Sequence, residues 1–420
     1  MIDIKLIRDN PEVVFQAMDR RGEGRADVDE IIELDSSYRL MLKEAETLRA
    51  RRNDVSKQIS RMKEKPADLI AEMRQVGDRI ARIEAEANLL SDRLEDRLLR
   101  LPNLPSDDVP EGRGSQDNIE VRSCGRPREF SFTPLPHWDL AEKLGIIDFQ
   151  RGVKLSGTRF YVLRGMGALL QRALISFMLD LHVREHGYME IYPPFMVKRE
   201  CLVGSSNLPK FADNLYHDAE EDYWFIPTAE VPLTNLHRDE ILAPGALPLY
   251  YAAHTSCFRR EKMAAGKDTR GIKRGHQFEK VEMYKFVEPS TSNEELNSLL
   301  DSAEDICRRL ELPHRVIQLC TGDLGFAAVK TFDIEMWAPG CGEWLEVSSC
   351  SNCGDFQARR ANIRYRPDPE AKPRLVHTLN GSGLALPRVM IAIMENYQRE
   401  DGSISVPAAL QPYMNTDTIR

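Results

Sequence analysis

A chain of 420 residues is longer than one hydrophobic core usually serves and is read as two or three domains. Its 42% hydrophobic and 29% charged residues are ordinary for a globular protein, and a formal net charge of -9 excludes a general nucleic-acid coat, so any polyanion site must be local. Eight cysteines scattered over this length lack the density of a secreted disulfide scaffold, "MIDIKLIRDNPEVVFQAMDRR" has no apolar leader core, and no stretch approaches a membrane span. The expectation is a cytoplasmic protein with reduced thiols.

The first strong period runs through Ile31, Leu34, Tyr38, Met41, Ala45, Leu48, Arg52, Val55, Ile59 and Met62, at alternating spacings of three and four. That is a heptad seam. Leu69, Met73, Val76, Ile80, Ile83, Ala87, Leu90 and Leu94 repeat it after a break at Lys65 and Pro66, where proline disfavours helix continuation. Two helices joined by so short a turn pack antiparallel, giving a coiled-coil hairpin over about 28–100 that reaches roughly 50 Å. Between Lys43 and Lys65 the bases Lys43, Arg49, Arg51, Arg52, Lys57, Arg61, Lys63 and Lys65 outnumber Glu44, Glu46, Asp54 and Glu64. A basic tip half on an acidic chain suits a phosphate backbone, with Lys57, Arg61 and Lys63 as the candidate contacts. An oligomerisation coil, or a hairpin folded against the body, with a solvated charged face is the competing reading.

"LPNLPSDDVPEGRGSQDN", Leu101 to Asn118, collects Pro, Gly, Asp and Ser without periodicity and reads as a linker, with a domain boundary near residue 105. The expected division is 1–105, a linker over 106–130, and a body over 131–420. In the body, helical stretches such as 169–185 alternate with the β-like runs "YMEIYPPFMV", "LPLYYAAHTSCFR", "FEKVEMYKFVE" and "WLEVSSCS". Strands that follow one another without regular crossovers predict an α+β fold on a largely antiparallel sheet.

"TSCFRREKMAAGKDTRGIKRGHQFEKVEMYKF", Thr255 to Phe286, holds nine Lys and Arg in thirty-two residues. It reads as a strand ending near Arg260, a Gly- and Lys-rich loop and a returning strand. Arginine grips phosphate oxygens through its fixed fork, and Phe278 offers a face on which a base can stack. Glu279 and Glu282 fall on opposite faces of a regular strand, so only one of them points into a site. Taken alone, the segment reads more readily as a basic hairpin around a core phenylalanine than as a nucleotide site. Nothing in it matches GxxxxGK[ST], so a bound nucleotide is not held by a Walker loop.

Three segments together resemble the signatures of the class II aminoacyl-tRNA synthetases, and specifically their seryl family, across the whole chain. "HGYMEIYPPFMV", with Pro194, is similar to motif 1, the basic stretch to motif 2 and "LNGSGLALPRVMIAIMENYQ" to motif 3. "IPTAEVPLTNL" and "FDIEMWAPGCGEWLEVSSCSNCGDFQARRANIRYR" look like that family's serine-recognition and metal-binding segments, and the hairpin looks like its tRNA-binding arm. The resemblance implies a homodimer that uses ATP to activate L-serine as the adenylate and passes it to tRNA(Ser), with tRNA(Sec) a second candidate acceptor.

It also implies roles. Arg259 becomes the motif 2 arginine on the α-phosphate, Glu261 lies beside the nucleotide, Phe278 stacks on adenine and Arg388 becomes the motif 3 arginine on the γ-phosphate. Glu346 and Ser349 match the positions that hold a divalent cation, with hard oxygens that suit Mg²⁺. Arg260, Val347 and Ser348 complete the ATP set, and Thr228, Ala229, Glu230, Glu282 and Ser382 form the serine pocket. Arg259, Glu346 and Arg388 are the catalytic set.

Two departures bear on this. Pro387 stands before Arg388 where many class II sequences have glycine, and proline suits the first turn of a helix. Cys350 and Cys353 form a CxxC with Cys341 near, but the histidines are not spaced to complete a zinc set, and buried thiols are the expectation. Two other functions compete: a paralogue that loads serine onto a carrier protein, against which the basic arm speaks, and an inactive RNA-binding relative, against which Arg259, Glu261, Glu346, Ser349 and Arg388 speak together.

Overall fold

The computed structural model describes residues 1–63, 66–262 and 270–420. Lys65, expected at the helix break, and 263–269, with most of the expected Gly- and Lys-rich loop, lie outside them. By its contacts the chain divides into two units: Ile2–Asp19 with Glu23–Pro102, and Asn103–Arg420 with Met1 and Arg20–Gly22.

The first unit is helical. Asp3 caps α1 (Ile4–Asp9) by accepting the Lys5 amide, and α2 (Pro11–Arg21) follows with Pro11 at its start. The hairpin is α3 (Ala26–Arg61) and α4 (Ala67–Arg100), 36 and 34 residues long, which at 1.5 Å per residue gives the roughly 50 Å expected. Acids in the first turn of each helix and arginine in the last suit the helix dipoles. Ile31, Leu34 and Ala45 are buried with Met73, Ile80, Ile83, Ala87 and Leu94. Val55 and Ile59 are only half-buried and Met62 is exposed, because two helices alone cover a narrow stripe. Ion pairs Arg49–Glu84, Arg51–Glu72 and Arg79–Glu44 bridge the two helices. Near the start of α3, Arg8 forks onto the buried Asp35 at 2.7 and 2.9 Å, joining α1 to α3.

The second unit is built on an eight-stranded sheet. In chain order its strands are β1 (Ile119–Cys124), β2 (Met189–Glu190), β3 (Leu249–Phe258), β4 (Gln277–Val287), β5 (His314–Gln318), β6 (Lys330–Ala338), β7 (Glu343–Asn352) and β8 (His377–Ala385). They lie in the order β1-β5-β6-β7-β8-β4-β3-β2, and every pairing is antiparallel except β2 with β3. Part of the stretch expected as a linker is therefore sheet: β1 pairs along β5, and Asn103 donates to the carbonyls of Ala327 and Cys353. Proline and glycine mark irregular backbone, and do not say whether that backbone is packed.

Helices α5 (Met166–Arg184), α7 (Ser292–Arg309) and α8 (Leu386–Asn396) share one apolar core with the sheet, with α6 (Glu230–Asn235) between α5 and α7 in sequence. Into that core β4 sends Val281, Met283 and Val287, and β6 sends Phe332, Ile334, Met336 and Ala338. Alternation turns their neighbours to the opposite face, where the cleft lies. α5 corrects one expectation: it is long and apolar enough to cross a membrane by length and composition. Its Leu170, Leu174 and Met178 are fully buried in the core, which accounts for the apolar composition.

Candidate active site

On β4, Phe278, Lys280 and Glu282 line the cleft as i, i+2 and i+4. Glu279 points away and accepts from Ser256 Oγ at 2.6 Å, with His254 Nε2 2.7 Å distant. Of the two carboxylates, Glu282 is the one that enters.

Around Glu282 the expected serine residues converge. Thr228 Oγ1 donates to Glu282 Oε2 at 2.7 Å, and Ser382 of β8 is the direct cross-strand neighbour of Glu282. Lys280 Nζ pairs with Glu282 and donates to Thr228 Oγ1 at 2.9 Å. Glu230, opening α6, accepts from Gln357 Nε2 at 2.6 Å and Asn380 Nδ2 at 3.1 Å. Burial, and then the charge of Glu282, push the Glu230 carboxyl up to about 7. Two carboxylates and two hydroxyl groups suit a ligand with an ammonium and a hydroxyl. Ala229 is fully buried in an apolar cluster behind them and does not line the cleft.

At the other end, β3 stops at Phe258, and the Arg259 amide bonds the His276 carbonyl at 2.9 Å. The Arg259 guanidinium donates to the Pro227 carbonyl at 3.2 Å and lies 5.2 Å from the centre of the Phe278 ring. Glu261, at a positive φ of 51°, turns its carboxylate to within 3.7 Å of Arg274. Arg260 leaves the cleft and stands over Tyr216 instead, because adjacent residues project in different directions.

Glu346 and Ser349 both line the cleft although they stand three positions apart on the strand. Ile334 pairs with Ser348 and Glu335 with Glu346, so Val347 is the extra residue of a β-bulge that resets the alternation. Ser348 is turned inward and donates to the Ser382 carbonyl, so its side chain does not line the cleft, while Val347 does. Arg388 donates to the Glu346 carbonyl at 2.6 Å and lies 3.4 Å from its carboxylate. Pro387 occupies the first turn of α8 beside it, as expected. On β6, Asp333 faces Ser349 across the ladder, with Oδ1 buried and without a hydrogen-bond partner among the described residues.

The cysteines separate. Cys350 is in the core beside Ser348 and burial pushes its thiol up to about 12, whereas Cys353 lies against Asn380. Cys341 joins neither: its Sγ donates to Glu395 Oε1 at 3.0 Å, beside His137 Nδ1. His137 Nε2 accepts the Ile272 amide at 3.2 Å, which places the ring proton on Nδ1, toward Glu395. That knot holds Ile272, a cleft residue, to α8.

Sequence reasoning missed Lys280, Lys273, Arg274, Asn380, Gln357 and Asp333. Lys280 was within reach, being two residues from each of Phe278 and Glu282. Gln357 carried no local signal, since it arrives from a short helix more than a hundred residues downstream of Glu230.

An antiparallel sheet with arginines at the ends of a carboxylate-lined cleft is the architecture of a class II tRNA synthetase core. The family described as "tRNA synthetase class II core domain (G, H, P, S and T)" matches residues 211–397, and "Seryl-tRNA synthetase N-terminal domain" matches residues 1–105. The chain is 61% identical to the serine–tRNA ligase of Thermomicrobium roseum over 99% of its own length and 93% of that protein's. It is 59% identical to that of Dehalococcoides mccartyi over 100% of both. Among solved structures it resembles seryl-tRNA synthetase from Pyrococcus horikoshii complexed with ATP, with a TM-score of 0.94, 42% identity, and 100% and 99% of the two chains covered. The chain belongs to the serine–tRNA ligase family, ATP-dependent enzymes that join serine to tRNA.

Proposed function

We propose that this cleft activates L-serine by direct attack of its carboxylate on the α-phosphorus of ATP, releasing pyrophosphate, and then hands serine to the 3′-terminal adenosine of tRNA(Ser). One observation carries the reading: a single strand face presents Phe278, Lys280 and Glu282 in line, with Ser382 beside Glu282 and Arg259 above Phe278. Adenine stacks at Phe278 and the serine hydroxyl and ammonium are held at Thr228, Glu230, Glu282 and Ser382. The bond is made between them. No protein nucleophile is needed, and catalysis is positioning and charge neutralisation by Arg259 at the α-phosphate and Arg388 at the γ-phosphate.

The donor set of Glu346 and Ser349, brought to one face by the bulge with the unpartnered Asp333 oxygen behind, fits a hard divalent cation, and Mg²⁺ would be held by Glu346 and Ser349. When bound it offsets phosphate charge.

Residues 1–105 act as the tRNA-binding domain and 131–420 as the catalytic domain, in a cytoplasmic homodimer. Lys57, Arg61 and Lys63, all exposed and in no ion pair among the described residues, track the tRNA backbone. Serine-dependent ATP–pyrophosphate exchange, followed by charging of tRNA(Ser) and tRNA(Sec) transcripts, tests the reading. Exchange without charging would favour the carrier-loading alternative.

A further inference from the structure

Lys280 has no role in the reading above, yet it occupies the middle of the cleft. Alternate residues on a strand are roughly 7 Å apart, so its Cα lies about that far from Phe278 at the adenine end and from Glu282 at the hydroxyl end. Its residue exposure is 6%, and among the described residues its ammonium contacts Glu282 and Thr228 Oγ1. An ammonium has three N–H donors, and Lys280 borders the cleft itself.

The chemistry asks for a cation at this point. Serine arrives with a carboxylate that must approach a triphosphate, and the serine end of the cleft already carries Glu230 and Glu282. Arg259 is at the nucleotide end, over Phe278. Lys273, Arg274 and Arg388 also line the cleft, but Lys280 is the cation on the strand face between Phe278 and Glu282, where the nucleophile would otherwise meet the carboxylates of the serine end in a partly dehydrated site in which Coulomb terms are larger than in water.

We propose that Lys280 is a catalytic residue that binds the serine carboxylate and carries it to the α-phosphorus, an assignment that rests on the cleft reading above. One carboxylate oxygen forms the bond to phosphorus, the bond from phosphorus to the bridging oxygen breaks, and the electron pair leaves with pyrophosphate. The second oxygen stays against the ammonium and becomes the carbonyl oxygen of the adenylate. No proton moves. Glu282 and Thr228 hold the ammonium in place, so the hydroxyl-reading groups also aim the activating one.

The test compares L-serine with L-serinamide, which keeps the ammonium and hydroxyl but lacks the anionic carboxylate. Binding of each is measured by calorimetry on the full-length protein, beside ATP–pyrophosphate exchange. Lys280→Met should lower exchange by about 10²- to 10³-fold, keep ATP affinity, and bind serine no better than serinamide. Lys280→Arg should recover part of the preference for serine. Weakening of serine and serinamide by the same factor in Lys280→Met would mean that the lysine only props Glu282, and would overturn the proposal, as would wild-type exchange. If the wild type prefers serine and Lys280→Met keeps that preference, the proposal alone fails. If the wild type binds no serine, the cleft reading falls with it.

Discussion

Glu282 and Ser382 are direct neighbours across β4 and β8, and Thr228 donates to Glu282 at 2.7 Å. A pocket walled by these groups leaves the hydrogen bonds meant for the substrate hydroxyl unmade when alanine replaces serine. Sites that hydrogen-bond a substrate hydroxyl reject the analogue lacking it by about 10⁴ or more. Exchange supported by alanine should therefore run at least that far below exchange supported by serine, in kcat/KM, with no editing step. Comparable rates with the two amino acids would remove Glu282 and Ser382 from the pocket.

Glu230 gives the site a pH dependence. Burial and the Glu282 charge raise its carboxyl to about 7, above the ordinary carboxylate value. The stability contributed by this group is therefore fully present below about pH 4.5 and is lost as pH rises through about 7. A serine ammonium favours the ionised carboxylate, so serine binding must release the proton when pH lies below 7. KM for serine should fall by up to about tenfold per pH unit on approaching pH 7 and then level. Glu230→Gln should raise KM and flatten the profile. A wild-type profile already flat from about pH 6 to 8 would contradict the raised value.

The helical hairpin should be dispensable for activation and needed for transfer. Every residue proposed for ATP and serine belongs to the unit that contains Asn103–Arg420. Replacing residues 30–100 by a short linker should preserve exchange and abolish charging. Neutralising Lys57, Arg61 and Lys63 should weaken tRNA binding and flatten its salt dependence by about 0.7 to 0.9 log unit per lost phosphate contact. An unchanged salt slope would clear these three of contact with the phosphates.

A mixed dimer tests whether one subunit's arm serves the other's cleft. An armless subunit paired with an Arg259→Ala subunit should charge tRNA if the arm acts across the dimer. An armless homodimer charging at the normal rate would take the arm out of the mechanism.

What could be read in advance followed from period. The seam from Ile31 and Leu34 through Ala45 is local and repeats, so the hairpin was legible; the period of two along β4 is enough to place Glu279 and Glu282 on opposite faces. The bulge at Val347 was not legible, because it depends on how β7 meets β6, and it alone explains why Glu346 and Ser349 share a face while Ser348 does not. Gln357 and Asn380 around Glu230 come from distant segments, and nothing local marks them. β1 was hidden by the Pro- and Gly-rich run before it, since composition does not report pairing with a strand almost two hundred residues away.

Serine adenylate formation with Arg259 on the reacting phosphate is the step on which the proposed function stands. The direct measurement is L-serine-dependent ATP–pyrophosphate exchange by the wild type and by Arg259→Ala at matched folding, judged by thermal melting. Robust exchange is expected from the wild type and a loss of about 10²- to 10³-fold from the variant, with the melting transition retained. An equal exchange rate in the two proteins would contradict it.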